Sequence, residues 1–220
     1  TQSRSSAASD VYKRQTLLTG DKQLSSRTRR MLAAAARAGV PVVPVTARQI
    51  YGLSGWRDVL TSWALCSNGA ICWNLADETI LFRQLMGAQM CQRFTQDLLK
   101  VAPGTVFATI RDDGEDFVSQ EGYAELADVA DHNRDPRTMP SLPLEEVVAQ
   151  ECLKLVARHP SIPVDELARL AVSVGGDQVH VTTSGVPMLE ISPAGVTKDS
   201  GLALLCEHLG VDRADVVAFG

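Results

Sequence analysis

Between residues 25 and 39 the less polar positions fall at Thr28, Met31, Leu32, Ala35 and Ala38, three or four apart, while Arg27, Arg30 and Arg37 lie on the other side. That spacing is the period of an amphipathic helix. Ser25 or Ser26 can cap its start, and Gly39 ends it. The following run over 40–45 (VPVVPV) is short and apolar on both faces, which predicts a strand buried between helix layers. Pro44 is awkward in it, because an interior strand needs its amide hydrogen. Trp63, Ala64, Leu65 and Cys66 predict a second strand that stops at Ser67, Asn68, Gly69 and Ala70, and Ile71, Cys72 and Trp73 continue after the turn. Helix, buried strand, turn and strand in this order indicate an α/β sheet with crossovers.

The pattern changes near residue 84. A helix is expected over 86–101, closed by Pro103 and Gly104, then a strand over 106–110. Residues 111–143 are acidic and punctuated by Gly and Pro, and predict a long loop with short elements. Beyond them the sequence predicts a strand over 152–157, a short helix over 164–170, and strands over 179–183 and 188–191 flanking the turn at Ser184 and Gly185. Such paired strands with a partly polar face suit an antiparallel sheet outside the doubly wound core. An α+β cap is therefore assigned to 84–188, between core segments 16–83 and 189–220. The second core segment carries a helix over 199–209, apolar at Leu202, Leu205, Cys206 and Leu209 and ended by Gly210, and then a buried strand over 216–219. Residues 1–15 differ from the rest. They hold a Ser/Ala-rich tract without apolar periodicity or an initiating Met, and are set aside as a non-native or artefactual segment of expression, sequence assembly or processing.

Composition narrows the class without changing the fold. With 45% hydrophobic, 21% charged and 5% aromatic residues over 220 positions, the chain is an ordinary globular protein. No apolar run approaches the roughly 20 residues of a membrane span, and no secretory signal is visible, so no membrane partner and a cytoplasmic location are expected. A formal charge of −5 and a pI near 5.4 give no overall electrostatic footprint for nucleic acid. The cysteines Cys66, Cys72, Cys91, Cys152 and Cys206 are odd in number and lack CxxC spacing, which favours small buried hydrophobes over disulfides or a thiolate zinc site.

Ligands of open parallel α/β sheets bind beyond the carboxyl ends of the strands. Here those ends carry Thr46, Ala47 and Arg48 after one strand and Asn68 and Gly69 after the next. A hydroxyl, a guanidinium and an amide suit an anion such as phosphate. From spacing alone, simple helix capping by Thr46 and Arg48 is the favoured alternative. Lys198 stands at a helix start, where the macrodipole disfavours a cation, and a bound anion would remove that conflict; a solvated surface lysine explains it equally well. Asp112, Asp113, Glu115 and Asp116 lack calcium-loop spacing and read as a solvated turn. His132, His159, His180 and His208 are scattered, and no GxSxG, GxxxxGK[ST] or GxGxxG occurs.

Taken in order, Thr16-Leu17-Leu18, the helix ending at Gly39, Val45-Thr46-Ala47-Arg48, Ser67-Asn68-Gly69-Ala70, Gly195-Val196-Thr197-Lys198 and Val217-Ala218-Phe219-Gly220 resemble the haloacid dehalogenase superfamily, and within it the Cof-like sugar-phosphate phosphatases. The resemblance covers residues 16–220. It implies a doubly wound parallel-sheet, Rossmann-like α/β core with an inserted α+β cap. It also implies Mg2+-dependent hydrolysis of phosphoric monoesters through an aspartyl-phosphate, on small phosphorylated metabolites such as sugar phosphates. Thr46 matches the second motif and Lys198 the third; Thr46, Ala47, Arg48 and Lys198 are the implied phosphate binders, with Asn68 and Gly69 close to substrate.

The first motif, DxDGT, departs from the pattern. With Thr16 as its threonine, Tyr12 holds the nucleophile position and Arg14 that of the acid/base, and Gln15 replaces the glycine. Neither side chain does a carboxylate's work, and Arg14 puts positive charge where Mg2+ should bind. The fourth motif, GDxxND, would open at Gly220. The resemblance therefore implies a core incomplete at both ends, poor Mg2+ binding and no turnover by this chain. The alternative is a non-catalytic phosphometabolite-binding or regulatory protein in which Tyr12 and Arg14 are genuine. Thr46 and Lys198 are expected to converge on one anion.

Overall fold

The computed structural model describes residues 17–19, 23–60, 62–132, 134–183 and 185–219. Helix α1 (Ser26–Arg37) starts where Ser25 Oγ accepts the Thr28 N–H at 3.0 Å, and Gly39 leaves it at φ +71°. Its buried face is narrower than the periodicity predicts. Only Leu32 is buried, against Leu24 and Leu60, and Met31 is 59% exposed.

The strand expected over 40–45 is reduced to one parallel bridge, Val45 to Leu65, in which the Leu65 N–H donates to the Pro44 carbonyl and the Thr46 N–H to the Leu65 carbonyl, both at 2.9 Å. The physical reason is the pair Pro41 and Pro44, neither of which has an amide hydrogen for a ladder. Strands β1 (Trp63–Cys66), β2 (Ile71–Asn74) and β3 (Ile80–Arg83) form an antiparallel sheet in the order β1-β2-β3. Val45 thus supplies the parallel contact on the outer side of β1.

A six-stranded sheet follows. Its order is β6-β5-β4-β7-β9-β8, from β4 (Val106–Arg111), β5 (Asp116–Gln120), β6 (Ser141–Leu142), β7 (Lys154–Arg158), β8 (Val179–Thr182) and β9 (Leu189–Pro193). All pairs are antiparallel except β5 with β6. Alternation along the strands sorts the faces. Phe107, Leu155, Ala157, Leu189 and Ile191 point to the helices α2 (Ala88–Val101) and α4 (Val164–Gly175), while Ala108, Ile110 and Val156 pack with Ile50, Ala64, Cys66 and Ile71. Lys154, Arg158 and Glu190 share the parity of the second set, so this sheet turns three buried charges toward β1 and β2. The short α3 (Leu144–Val147) lies in the connection between β6 and β7.

Helix α5 (Lys198–Leu209) closes at Gly210 in the left-handed conformation and packs Leu202 and Leu205 on Leu65 and Cys72. Two further expectations need correction. Within 111–143, read as a long loop with short elements, residues 116–120 form the paired strand β5, with Phe117, Val118 and Ser119 all buried. Residues 216–219 form no strand: no described neighbour pairs with them, and Val217 and Phe219 are 75% and 82% exposed.

Candidate functional site

The turn after β1 is held in a conformation that most residues avoid. Ser67, Asn68 and Gly69 have φ of 50°, 60° and 93°. Backbone hydrogen bonds from the Asn68 N–H to the Thr46 carbonyl, 2.9 Å, and from the Ser67 N–H to the Arg48 carbonyl, 3.0 Å, lash this turn to the segment after the Val45 bridge. Buried Gln49 and Ser67 bond to each other across the same gap. Gly69 is needed for a second reason. A Cβ there would collide with the Thr197 carbonyl, whose carbon would lie at 3.0 Å, and would stand 3.3 Å from Lys198 Cα. A Cβ on Gly201 would reach the Gly69 backbone at 2.7 Å. Two glycines therefore let the first turn of α5 rest directly on the β1–β2 turn.

Thr197 caps that helix with a capping box: the Ser200 N–H donates to Thr197 Oγ1 at 3.1 Å, and the Thr197 N–H donates to Ser200 Oγ at 2.9 Å. Lys198 is the first helical residue and is exposed. A cavity of about 430 Å³ opens beside it. Ala47, Asn68, Thr197, Lys198 and Asp199 form one wall; His180, Thr182, Thr183 and Glu190, from β8, its following residue and β9, form the other. The volume suits a small metabolite. A second hollow, about 220 Å³ near Leu32, Val40, Pro41 and Val42, is mainly apolar and gathers no set of polar side chains.

Of the residues singled out by sequence, Ala47, Asn68 and Lys198 meet in the cavity wall, and Gly69 abuts Lys198 from behind. Thr46 and Arg48 are not part of that wall. Thr46 Oγ1 accepts the Arg48 N–H at 3.1 Å, which leaves its own proton to donate. The Arg48 guanidinium lies 5.1 Å over the Trp56 ring, and burial lowers its pKa. Tyr12 and Arg14 lie outside the described residues.

Sequence reasoning missed the other wall. Glu190 and Lys154 form an ion pair with each side chain 3% exposed. Lys154 Nζ also donates to the Ala47 carbonyl at 3.1 Å, and Glu190 Oε2 accepts from Asn68 Nδ2 at 3.3 Å. The signal was present: a lysine and an arginine at the two ends of an otherwise apolar strand, and a lone Glu between Leu189 and Ile191. Arg158, 1% exposed, anchors a neighbouring cluster by donating to the Leu126 carbonyl at 3.1 Å, the Pro187 carbonyl at 3.3 Å and Asp131 at 2.9 Å. Beside it, burial first and the Arg158 charge second push His132 down to about 4, and burial lifts the Tyr123 hydroxyl to about 12.

His180 joins the cavity lining; the other histidines are engaged elsewhere. His159 Nδ1 accepts the Ile162 N–H at 2.8 Å, and His208 meets the Trp63 ring edge-on at 5.4 Å. Asp113 in the acidic turn accepts from Arg83 Nη2 at 2.6 Å. All five cysteines are free and buried. Among the described residues no group of three or more His, Cys, Asp or Glu side chains could hold a metal ion. Of the two carboxylates that line the cavity, Glu190 is buried in its pair with Lys154, which leaves it a poor fit for Mg2+, and the exposed Asp199 pairs with Arg213 at 2.6 Å. No described helix is long and apolar enough to cross a membrane.

The geometry has relatives. Among curated proteins, the HMP-PP phosphatase of Enterobacter sp. (strain 638) is 41% identical over 59 residues, a segment that spans 26% of this chain and 22% of that relative's length. Among solved structures, a sugar phosphatase of HAD subclass IIB superposes with a TM-score of 0.70 at 18% identity, over 89% of this chain and 73% of the other. A phosphatase of the haloalkanoate (HAD) superfamily from Bacteroides thetaiotaomicron gives a TM-score of 0.73 at 21% identity, over 90% and 70%. At these identities the likeness is one of fold. The family model for haloacid dehalogenase-like hydrolases matches residues 15–220, and the chain belongs to that family.

Proposed function

We propose that the protein is a phosphatase-type protein for small phosphorylated metabolites, sugar phosphates first, and that this chain binds such esters without turning them over. The observation that supports the proposal is the cavity of about 430 Å³, which Asn68 and Lys198 line together with His180, Thr182 and Thr183. Lys198 would balance phosphate charge at the amino end of α5, where the helix dipole also favours an anion. Thr46, which accepts the Arg48 N–H and is not among the cavity-lining residues, is proposed as a further phosphate donor from its strand-end position alone. The polar wall suits a leaving group rich in hydroxyls, and the HMP-PP phosphatase relative supports a phosphorylated small molecule as ligand.

We propose that the chain divides into a core of 16–83 and 189–220 and a cap of 84–188; β9 (Leu189–Pro193) pairs with both β7 and β8, strands of the proposed cap. In a family member with both first-motif carboxylates, Mg2+ would supply charge neutralisation of the transferring phosphoryl group. The resemblance puts Tyr12 and Arg14 at those positions, and neither side chain would hold the ion. We propose binding without turnover, in a cytoplasmic setting.

The test has two arms on the full chain. Inorganic phosphate should bind, as read by calorimetry, and p-nitrophenyl phosphate with Mg2+ should not be hydrolysed. Absence of phosphate binding would refute the proposal. Turnover that Lys198→Ala abolishes would keep the phosphatase assignment and refute the inactivity.

A further inference from the structure

We propose that the buried Lys154–Glu190 pair is a positioning device that holds the two core loops of the phosphate site in register while adding no net charge to it. The proposal rests on the phosphate-binding function proposed above. A buried ion pair is by itself a weak source of stability, since apolar residues of similar size often do as well. What distinguishes this pair is the direction of its remaining hydrogen bonds. Neither leads back into its own sheet: Lys154 Nζ reaches the Ala47 carbonyl at 3.1 Å, and Glu190 Oε2 takes the Asn68 amide at 3.3 Å. The partners are 107 and 122 residues away in sequence and belong to the two loops that carry Thr46 and Asn68.

The consequences for those loops are geometric. The Ala47 carbonyl and the Arg48 N–H share one peptide plane. An ammonium fixing the carbonyl therefore also fixes the N–H that donates to Thr46 Oγ1 at 3.1 Å. On the other loop, Asn68 stands at φ 60° with its amide orientation chosen by the carboxylate, because only the Nδ2 end can donate to Glu190. Glu190 also lines the cavity, where a bare carboxylate would repel phosphate. Lys154 cancels that charge.

This predicts effects of opposite sign that loss of a merely structural contact would not produce. Glu190→Gln keeps an acceptor for Asn68 but leaves the Lys154 cation uncancelled, and should tighten inorganic phosphate binding several-fold. Lys154→Met leaves a bare carboxylate in the wall and frees the Ala47–Arg48 peptide, and should weaken it about tenfold or more. The double variant K154M/E190Q should recover the electrostatic part of that loss but stay weaker than the parent, because one charge of each sign has been removed while the Ala47–Arg48 peptide remains free. Calorimetric titration of the full chain with inorganic phosphate reads all three, and thermal unfolding is recorded separately for each variant. Should Lys154→Met fail to fold, the comparison of E190Q with the double variant carries the same sign.

Ligand-free hydrogen exchange of peptides covering 46–69 supplies the second arm. Exchange at the Arg48 amide should quicken in Lys154→Met or the double variant and stay near the parent rate in Glu190→Gln. Phosphate binding weakened by Glu190→Gln, or exchange unchanged in both Lys154 variants, would overturn the positioning role. A parent chain that binds no phosphate would instead refute the phosphate-binding function, while the exchange arm still decides whether the pair positions these loops.

Discussion

Replacing Gly69 by alanine tests the contact that sets Lys198 against the β1–β2 turn. Two penalties add. Gly69 has φ +93°, which an L side chain adopts at a cost of about 1–2 kcal/mol. Its new Cβ would also strike backbone, the Thr197 carbonyl, rather than a side chain that could swing aside; overpacking of that kind costs about 1–3 kcal/mol. Gly69→Ala should therefore lose about 2–5 kcal/mol, from a total that for most domains is roughly 5–15 kcal/mol. Gly39→Ala is the control, since Gly39 has φ +71° with nothing within 4 Å of its missing Cβ, and should lose only the conformational part. Urea unfolding followed by tryptophan fluorescence measures both, and phosphate titration should show weaker binding in Gly69→Ala alone. Gly201→Ala attacks the same contact from the helix side and should be sub-additive with Gly69→Ala. A Gly69→Ala variant no less stable than Gly39→Ala, or one that binds phosphate like the parent, would refute the reasoning.

Three further expectations follow from caps, burial and titration. Thr197→Ala removes the capping box of α5 and should cost about 1 kcal/mol, with a melting temperature lowered by about 2–4 °C and weaker phosphate binding; Ser25→Ala at α1 should cost about as much and leave binding unchanged. His132 is held near 4 when folded against about 6.5 unfolded, so its contribution is fully present above pH 6.5 and is lost as pH falls through about 4. Residual solvent contact reduces that contribution to about 1–2 kcal/mol, and His132→Gln should flatten the dependence of urea midpoints across this window; parallel curves for parent and variant would contradict it. Burial lifts Cys66 and Cys72 to about 12, and all five thiols are buried, so a disulfide reagent near pH 8 should leave the native chain unlabelled for minutes and titrate all five after denaturation.

Local chemistry was legible in the sequence, and long-range pairing was not. Ser25 before a three-four apolar spacing gave away α1, and Gly210 after Leu209 marked the end of α5. Strand β1, its Ser67–Gly69 turn and β2 were evident because turn residues interrupt an apolar run. The 40–45 run misled because apolar character says where a segment is buried and not whether it has amides to pair; two prolines left one bridge. Strand β5 was hidden by Asp112, Asp113, Glu115 and Asp116, which surround a buried run of only three residues, Phe117, Val118 and Ser119. Helix α4 runs five residues beyond the predicted Leu170 because Ala171 and Val174 continue its face; Gly175 lies so near Phe94 that a Cβ would reach Phe94 Cε2 at 3.1 Å. At the cavity, Ala47, Asn68 and Lys198 could be named from strand ends and a helix start. On the opposite side, the buried Lys154 and Glu190 were marked by charge in apolar strands, but their place beside His180 and the cavity depends on strand order in the six-stranded sheet.

The anomalous signal of tungstate, a phosphate mimic, diffused into crystals of the full chain tests the phosphate cradle most directly. The ion should lie in the cavity between Asn68 and Lys198, with one oxygen about 2.7–3.2 Å from Lys198 Nζ, and Lys198→Ala should abolish the peak. Tungstate bound only at surface arginines such as Arg134 or Arg137, with the cavity empty, would contradict it.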